Sequence, residues 1–166
     1  MYKQSNITSF FKIKEKEYIN IYTDGACSNN GKPYAKASIG IYFGDNDPRN
    51  VSQRVQGKQT NNIAELTAIK NVYNLIQEEI LRKENVKIFT DSKYSMLCLT
   101  SYGAKCAKKN WSENIPNKYL VKETYELYKN LPNIKFEHIK AHTKNTDKHS
   151  RGNYWADKLA TDALHP

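Results

Sequence analysis

The sequence contains few cysteines and no long apolar run. Its three cysteines, Cys27, Cys98 and Cys106, are an odd number, and none has the spacing of a zinc or redox motif. We therefore expect free thiols in a reducing, intracellular compartment rather than a disulfide scaffold. No stretch approaches the roughly 18 consecutive apolar residues of a membrane-spanning helix. Residues 1–17 also lack the apolar core of a secretory signal. Neither membrane association nor secretion is expected.

Acidic residues are scarce relative to basic ones. The 166 residues include 17 Asp and Glu against 26 Lys and Arg, which gives a formal net charge of +9. This balance favours a polyanionic partner such as nucleic acid. The abundance of Lys, Asn, Ile and Tyr is also typical of an AT-rich coding sequence, so charge alone identifies no reaction.

Two segments of the chain differ in composition and periodicity. Residues 1–16 form a polar tail with a small apolar cluster, whereas residues 17–166 have the periodicities of one compact domain. Short runs of β-branched and aromatic residues predict strands at 18–23, 37–43, 51–57, 86–90 and 134–139, the first three as antiparallel neighbours. Helical spacing predicts helices through an apolar stripe from Leu66 to Ile80, then at about 92–102, 117–130 and 153–164. This order predicts an α/β fold with a mixed sheet.

Four acidic residues stand where a solvated charge is not the first expectation. Asp24 and Asp91 each follow an apolar strand, and α/β sheets usually bind ligands beyond the carboxyl ends of their strands. Each acid fits a turn or a helix N-cap equally well. Glu65 and Asp157 precede apolar residues at helical spacing, so both are expected on buried helix faces. Glu65 also fits a first-turn acid stabilised by the helix dipole.

Carboxylates that met in one crevice would repel one another and raise each other's pKa unless a cation were present. Oxygen ligands without a His or Cys cluster favour Mg²⁺, with Mn²⁺ as a substitute. Two such ions about 4 Å apart activate a water and stabilise the leaving oxygen in phosphodiester hydrolysis. Spacing alone does not establish that the four acids converge.

Several blocks of the sequence resemble the type 1 ribonuclease H family. They follow the family's order: Tyr-Thr-Asp-Gly-Ala-Cys-Ser at 22–28 with Asn-Gly at 30–31, Gln-Thr-Asn-Asn-Ile-Ala-Glu-Leu at 59–66, Thr-Asp-Ser at 90–92, Ala-His-Thr at 141–143, Gly-Asn at 152–153 and Ala-Asp at 156–157. The resemblance implies a ribonuclease H-like fold, with a five-stranded mixed sheet flanked by helices. It also implies a monomer that hydrolyses the RNA strand of an RNA–DNA hybrid, leaving 5′-phosphate and 3′-hydroxyl ends.

The resemblance further implies roles for individual residues. The acids that would hold two metal ions, with the first between them, are Asp24, Glu65, Asp91 and Asp157. His142 would assist proton transfer or product release from a mobile loop. RNA 2′-hydroxyls would be read by Asn30, Asn61 and Asn62 together with Glu65. The DNA strand would be held by a phosphate pocket and a basic groove, formed by Lys58, Thr60, Asn117, Tyr102, Lys105, Lys108, Lys109 and Trp111.

This chain departs from the family's pattern in its DNA grip and its histidine loop. Tyr102 stands where a Trp is common, and a second Trp is replaced by Cys106 or Ala107. Lys58 stands where Arg is frequent and lacks its bidentate fork. Residues 144–151 lengthen the loop after His142. We therefore expect an altered DNA grip, and a lysine run also fits a plain solvated face.

The tail, residues 4–11, resembles the peptide by which replication and repair proteins bind the sliding clamp, proliferating cell nuclear antigen. Its key residues are Gln4, Ile7, Phe10 and Phe11. Such a peptide folds into one 3₁₀ turn on binding. It would place the enzyme in the nucleus or at a cytoplasmic site of viral or other replication, removing primers or R-loop RNA. The alternative is a tail whose Phe pair packs on its own domain.

Three rival functions remain open at this stage. They are another polynucleotidyl transferase of the same fold, such as an integrase or junction resolvase, a non-catalytic hybrid-binding module, and the ribonuclease H fragment of a reverse transcriptase. The Asn61-Asn62 block and His142 argue against the first. The presence of all four acids argues against the second, and the clamp-like tail against the third.

Overall fold

A five-stranded mixed sheet forms the centre of the protein in a computed structural model, which describes residues 16–140 and 146–165. The strands are β1 (Ile19–Ser28), β2 (Lys36–Tyr42), β3 (Val51–Arg54), β4 (Val86–Thr90) and β5 (Ile134–His138), in the order β3-β2-β1-β4-β5. β1–β2 and β2–β3 are antiparallel, whereas β1–β4 and β4–β5 are parallel. The predicted α/β class and five-stranded mixed sheet are confirmed.

Helices cover both faces of this sheet. They are α1 (Asn61–Leu75), α2 (Gln77–Leu81), α3 (Lys93–Leu99), α4 (Ser101–Lys108), α5 (Lys118–Tyr128) and α6 (Lys148–Leu164). Alternate residues of β1 face opposite sides, so Ile21 joins the large core under α1, while Tyr22 packs with Phe89 and Ala156 under α6. No helix in the described ranges is long and apolar enough to cross a membrane.

Close packing of α6 on the sheet depends on a glycine in β2. A Cβ on Gly40 would lie 2.0 Å from the carbonyl oxygen of Ala156, so the helix backbone rests directly on the strand. The hydroxyl of Ser38 donates to the carbonyl of Ala160 at 2.5 Å. These contacts fix the height and register of α6, which carries Asp157.

The structure corrects several predicted boundaries, among them that of β3, which ends at Arg54 rather than at residue 57. β1 does not end before Asp24 but continues to Ser28, because its hairpin partner β2 pairs with it as far as Lys36, whereas the pairing with β4 stops at Thr23. The helix expected over 92–102 is divided at Thr100, where φ is −122° and ψ is −112°. The predicted 153–164 helix is too short, since α6 begins at Lys148. Part of the expected loop extension is therefore the first helical turn.

Candidate active site

All four predicted acids line one pocket of about 330 Å³. The pocket lies where the β1–β4 pairing ends, because Asp24 is the first residue of β1 beyond that ladder and Asp91 directly follows β4. Glu65 comes from α1 and Asp157 from the middle of α6. Each of Asp24, Glu65 and Asp91 offers a carboxylate oxygen within 4.8 Å of the others, a set that could hold a metal ion. Asp157 lies outside that tight set but lines the same pocket.

A glycine permits this convergence. A Cβ on Gly25 would lie 2.3 Å from the backbone nitrogen of Glu65 and 2.7 Å from the carbonyl carbon of Ala64, so only glycine lets β1 approach the start of α1 this closely. The backbone N–H of Gly25 also donates to Asp24 Oδ1 at 2.8 Å. The approach places the Asp24 and Glu65 carboxylates side by side.

The pocket concentrates negative charge in a buried place. Burial, reinforced by the charges of Asp91 and Asp157, raises the pKa of Asp24 to about 8. Burial, reinforced by Asp24 and Asp91, raises the pKa of Glu65 well above its ordinary value. Glu65 Oε2 is buried and has no hydrogen-bond partner among the described residues. An orphaned carboxylate oxygen beside two further acids fits a bound divalent cation, which would satisfy the oxygen and offset the repulsion.

Comparison with known proteins decides the family. The family model described as RNase H matches residues 16–165. The chain belongs to the RNase H family. Its relatives include a probable ribonuclease H of Acanthamoeba polyphaga mimivirus, 34% identical over 93% of this chain and 70% of the relative. The ribonuclease H of Schizosaccharomyces pombe is 37% identical over 84% of this chain and 50% of the relative. Ribonuclease H1 of Mus musculus is 32% identical over 88% and 50% respectively.

This RNase H chain thus spans about half the length of the mouse and fission yeast relatives. Among solved structures, the protease–reverse transcriptase of prototype foamy virus is similar with a TM-score of 0.69 and 26% identity, covering 89% of this chain and 21% of that one. The solution structure of the PFV RNase H domain has a TM-score of 0.66 at 24% identity, covering 87% and 92%. The second likeness supports the fold alone.

The predicted RNA-reading residues lie beside the carboxylates of this RNase H pocket. Asn61 lines the pocket, and its backbone N–H donates to Asn30 Oδ1 at 3.1 Å. This bond ties the β1–β2 connection to the first turn of α1. Asn62 is exposed on the same turn. The structure therefore brings Asn30 and Asn61 together next to Glu65.

The predicted DNA-binding residues do not share one environment. Thr60 caps α1, its hydroxyl oxygen accepting from the Ile63 N–H at 3.3 Å. Asn117, with φ of 54°, precedes α5 and donates from Nδ2 to the Tyr94 hydroxyl at 3.1 Å. The remaining exposed positions of the predicted groove are Lys58, Tyr102, Lys105, Lys108 and Lys109.

Trp111 corrects the prediction of a stacking aromatic. Its side chain is only 6% exposed and meets Tyr125 edge to face at 5.8 Å, within the main core. It follows Asn110, and both residues have positive φ angles, 50° and 54°, which turn the chain inward after α4. Trp111 therefore packs in the core below α4 and α5 rather than offering a ring face to nucleic acid.

Two residues at or near the pocket were not predicted from the sequence. Ser92 lines it and caps α3, its Oγ accepting from the Ser95 N–H at 3.1 Å. His138 Nε2 lies 3.0 Å from the backbone oxygen of Asp91, a contact that follows from the pairing of Thr90 with His138 in adjacent parallel strands. The Thr-Asp-Ser block pointed to Ser92, but no sequence signal placed His138. The predicted residues His142, Gln4, Ile7, Phe10 and Phe11 lie outside the described residues.

Proposed function

We propose that this chain is an endoribonuclease that hydrolyses the RNA strand of RNA–DNA hybrids, leaving 5′-phosphate and 3′-hydroxyl ends. The observation that carries the proposal is the convergence of Asp24, Glu65, Asp91 and Asp157 on one pocket in a member of the RNase H family. Neighbouring relatives named ribonuclease H support it.

The four acids are proposed to hold two Mg²⁺ ions, with Mn²⁺ able to substitute. When bound, such ions would supply Lewis acidity and lower the pKa of water for phosphodiester hydrolysis. The chain's own part is to keep carboxylate oxygens close and poorly solvated. Burial raises the pKa of both Asp24 and Glu65, so cation binding must displace protons from this pair. A bound cation would give Glu65 Oε2 the partner that it lacks among the described residues.

Recognition of the RNA strand is proposed to rest on the asparagines beside the pocket. Asn30 Oδ1 is already engaged by the Asn61 N–H, which leaves the Asn30 side-chain amino group and the Asn61 side chain for ribose hydroxyls. A 2′-hydroxyl is what separates RNA from DNA at such a site. The fixed hydrogen bond between the two residues supports a preorganised reader.

The DNA strand is proposed to lie along the exposed lysines of α4, with Lys58 and Asn117 at a phosphate. Lys105 and Lys108 are exposed, and neither is in an ion pair among the described residues. His142 is proposed to assist proton transfer or product release, on the family resemblance of its motif alone. A neutral pKa of about 6.5 for an ordinary histidine suits that role.

The test is a cleavage assay with strand-labelled substrates, with and without Mg²⁺. We expect the RNA strand of a hybrid to be cut only with Mg²⁺, while single-stranded RNA, duplex RNA, duplex DNA and a DNA junction stay intact. Asp24→Asn should abolish cleavage, and the matched control Asp162→Asn, an exposed acid on α6, should retain it. Cleavage of a DNA junction, or metal-independent cleavage, would contradict the proposal.

We also propose that residues 4–11 bind a sliding clamp and bring the enzyme to replicating DNA, where primers or R-loops supply the hybrid. The support is the sequence spacing of Gln4, Ile7, Phe10 and Phe11. Tethering of this kind raises the effective concentration of enzyme at its substrate. Replacing both Phe residues with Ala should abolish clamp binding in a pull-down and spare cleavage of a free hybrid. Unchanged clamp binding would contradict this part.

A further inference from the structure

A second cavity, of about 450 Å³, lies beside the start of β1 and the first turn of α6. Its volume falls within the ordinary range for small-molecule sites. Asn20 lines it and is four residues before Asp24 on the same face of β1, a distance of about 13 Å at strand spacing. The cavity is therefore separate from the carboxylate pocket, and none of the four carboxylates lines it.

Two tyrosines line this cavity. Tyr42 is half-buried, and the buried Tyr22 has its ring 6.3 Å from that of Tyr42. Tyr42 is held in place, since it stacks on Trp155 at 6.1 Å and its hydroxyl donates to Asp45 Oδ1 at 2.5 Å. A fixed, partly exposed ring of this kind is a platform for a planar heterocycle.

Two cations also line the cavity. Lys148 and Arg151 are exposed on the first turn of α6, and neither is in an ion pair within the described residues. The N-terminal amides of the helix are already occupied, because Asp147 accepts from the N–H groups of His149 and Ser150 at 3.0 and 3.1 Å. An anion in this cavity must therefore be held by the two side chains rather than by the helix end.

The remaining polar lining adds an acid and an amide. The Asp45 carboxylate accepts from the Tyr42 hydroxyl, and it would repel a phosphate beside it and accept N–H groups from a base. Asn20 offers both a donor and an acceptor. A ligand with a flat, hydrogen-bonding ring and an anionic phosphate matches this lining.

We propose that the cavity binds one unpaired nucleotide of a single strand, with its base against Tyr42 and its phosphate at Lys148 and Arg151. The site lies within about 13 Å of Asp24 along β1, so it would engage a single-stranded flank of a nucleic acid seated at the carboxylates. The proposal does not depend on catalysis, and its test is made without metal.

The test is an NMR titration of the uniformly ¹⁵N-labelled full chain in EDTA with uridine 5′-monophosphate, uridine, ribose 5-phosphate and tetrauridylate. Gly44 and Gly152 line the cavity, while Gly25 lines the carboxylate pocket, so their amide signals report the two sites separately. We expect the monophosphate and tetrauridylate to shift Gly44 and Gly152 saturably. Uridine and ribose 5-phosphate should bind at least about tenfold more weakly than the monophosphate, because uridine lacks the phosphate and ribose 5-phosphate lacks the base.

Substitutions on α6 provide the matched comparison. Lys148→Gln with Arg151→Gln should weaken binding of the monophosphate by at least about tenfold. Lys158→Gln, which removes an exposed cation of the same helix that pairs with Asp162 outside the cavity, should leave it unchanged. Three results would each overturn the proposal: no shifts at Gly44 and Gly152, unchanged binding in the double variant, or a chain that binds the monophosphate but not tetrauridylate.

Discussion

The carboxylate pocket buries its charged groups, whereas the basic helix α4 exposes its charged groups to solvent. In the pocket, Asp24 and Glu65 are only 6% and 4% exposed, and their neighbours carry the same sign. On α4, Lys105 and Lys108 are exposed to solvent. Buried like charges are costly and few arrangements offset them, whereas exposed cations contribute little individually and can replace one another. From this difference we expect hydrolysis to depend on a few irreplaceable side chains, and the proposed grip on substrate to be spread over many.

The largest effect should come from removing the central acid of the pocket. Asp24→Asn is expected to lower the rate of hybrid cleavage by at least about a thousandfold, because it removes the carboxylate that two other acids adjoin. Single-turnover cleavage with saturating Mg²⁺ measures the loss. Asp162→Asn is the matched control and should keep the wild-type rate. A loss of less than about tenfold would contradict the expectation that the pocket acids matter far more to the rate than the exposed lysines of α4.

The second effect concerns the backbone approach that builds the pocket. Gly25→Ala should destabilise the fold by about 1–3 kcal/mol, because its Cβ meets backbone atoms that no side-chain rotation can move. Cleavage should fall as well, since β1 and α1 must separate and carry Asp24 away from Glu65. Chemical denaturation and the cleavage assay measure the two consequences. Wild-type values in both would contradict the close approach.

A third effect is a pH dependence of stability in the absence of metal. In the folded chain the pKa of Asp24 is about 8, against an ordinary value of 3.8, and the pKa of Glu65 is raised as well. The protons on these two groups favour the folded state at low pH, and that stabilisation is lost as pH rises through about 8. At pH 8 in EDTA, Asp24→Asn should therefore melt several degrees above wild type.

Calorimetry or circular dichroism over pH 5–9 checks this expectation. Mg²⁺ should raise the Tm of the wild-type chain and leave that of Asp24→Asn nearly unchanged, because bound metal stabilises only the state that holds it. A variant that melts below wild type in EDTA at pH 8 would show that the carboxylates are not in conflict.

The smallest effect should come from the basic region. Lys105→Gln with Lys108→Gln is expected to raise KM for a hybrid several-fold and to reduce the salt dependence of binding by about two units of slope, one per phosphate contact. The value of kcat should hardly change. Lys158→Gln on α6 is the control cation, and fluorescence anisotropy over a salt series gives the slopes. A large loss of kcat would mean that these lysines position the reacting phosphate.

The sequence predicted the fold class and the four acids because both depend on local sequence patterns. The apolar runs of the strands and the motifs around Asp24 and Glu65 each consist of consecutive residues. What could not be predicted depends on partners distant in the chain. Trp111 is buried because Tyr125 packs on it, and β1 extends past Asp24 because β2 pairs with it there. The role of each site residue in hydrolysis remains a prediction.

The central claim is that the buried acids form a cation site. Isothermal titration of Mg²⁺ into the full chain at pH 7, repeated in buffers of different ionisation enthalpy, measures both binding and proton release. We predict binding coupled to proton release, because the pKa values of Asp24 and Glu65 are raised in the free chain, and loss of both in Asp24→Asn. Absence of binding to the wild-type chain, or identical binding and proton release in Asp24→Asn, would contradict it.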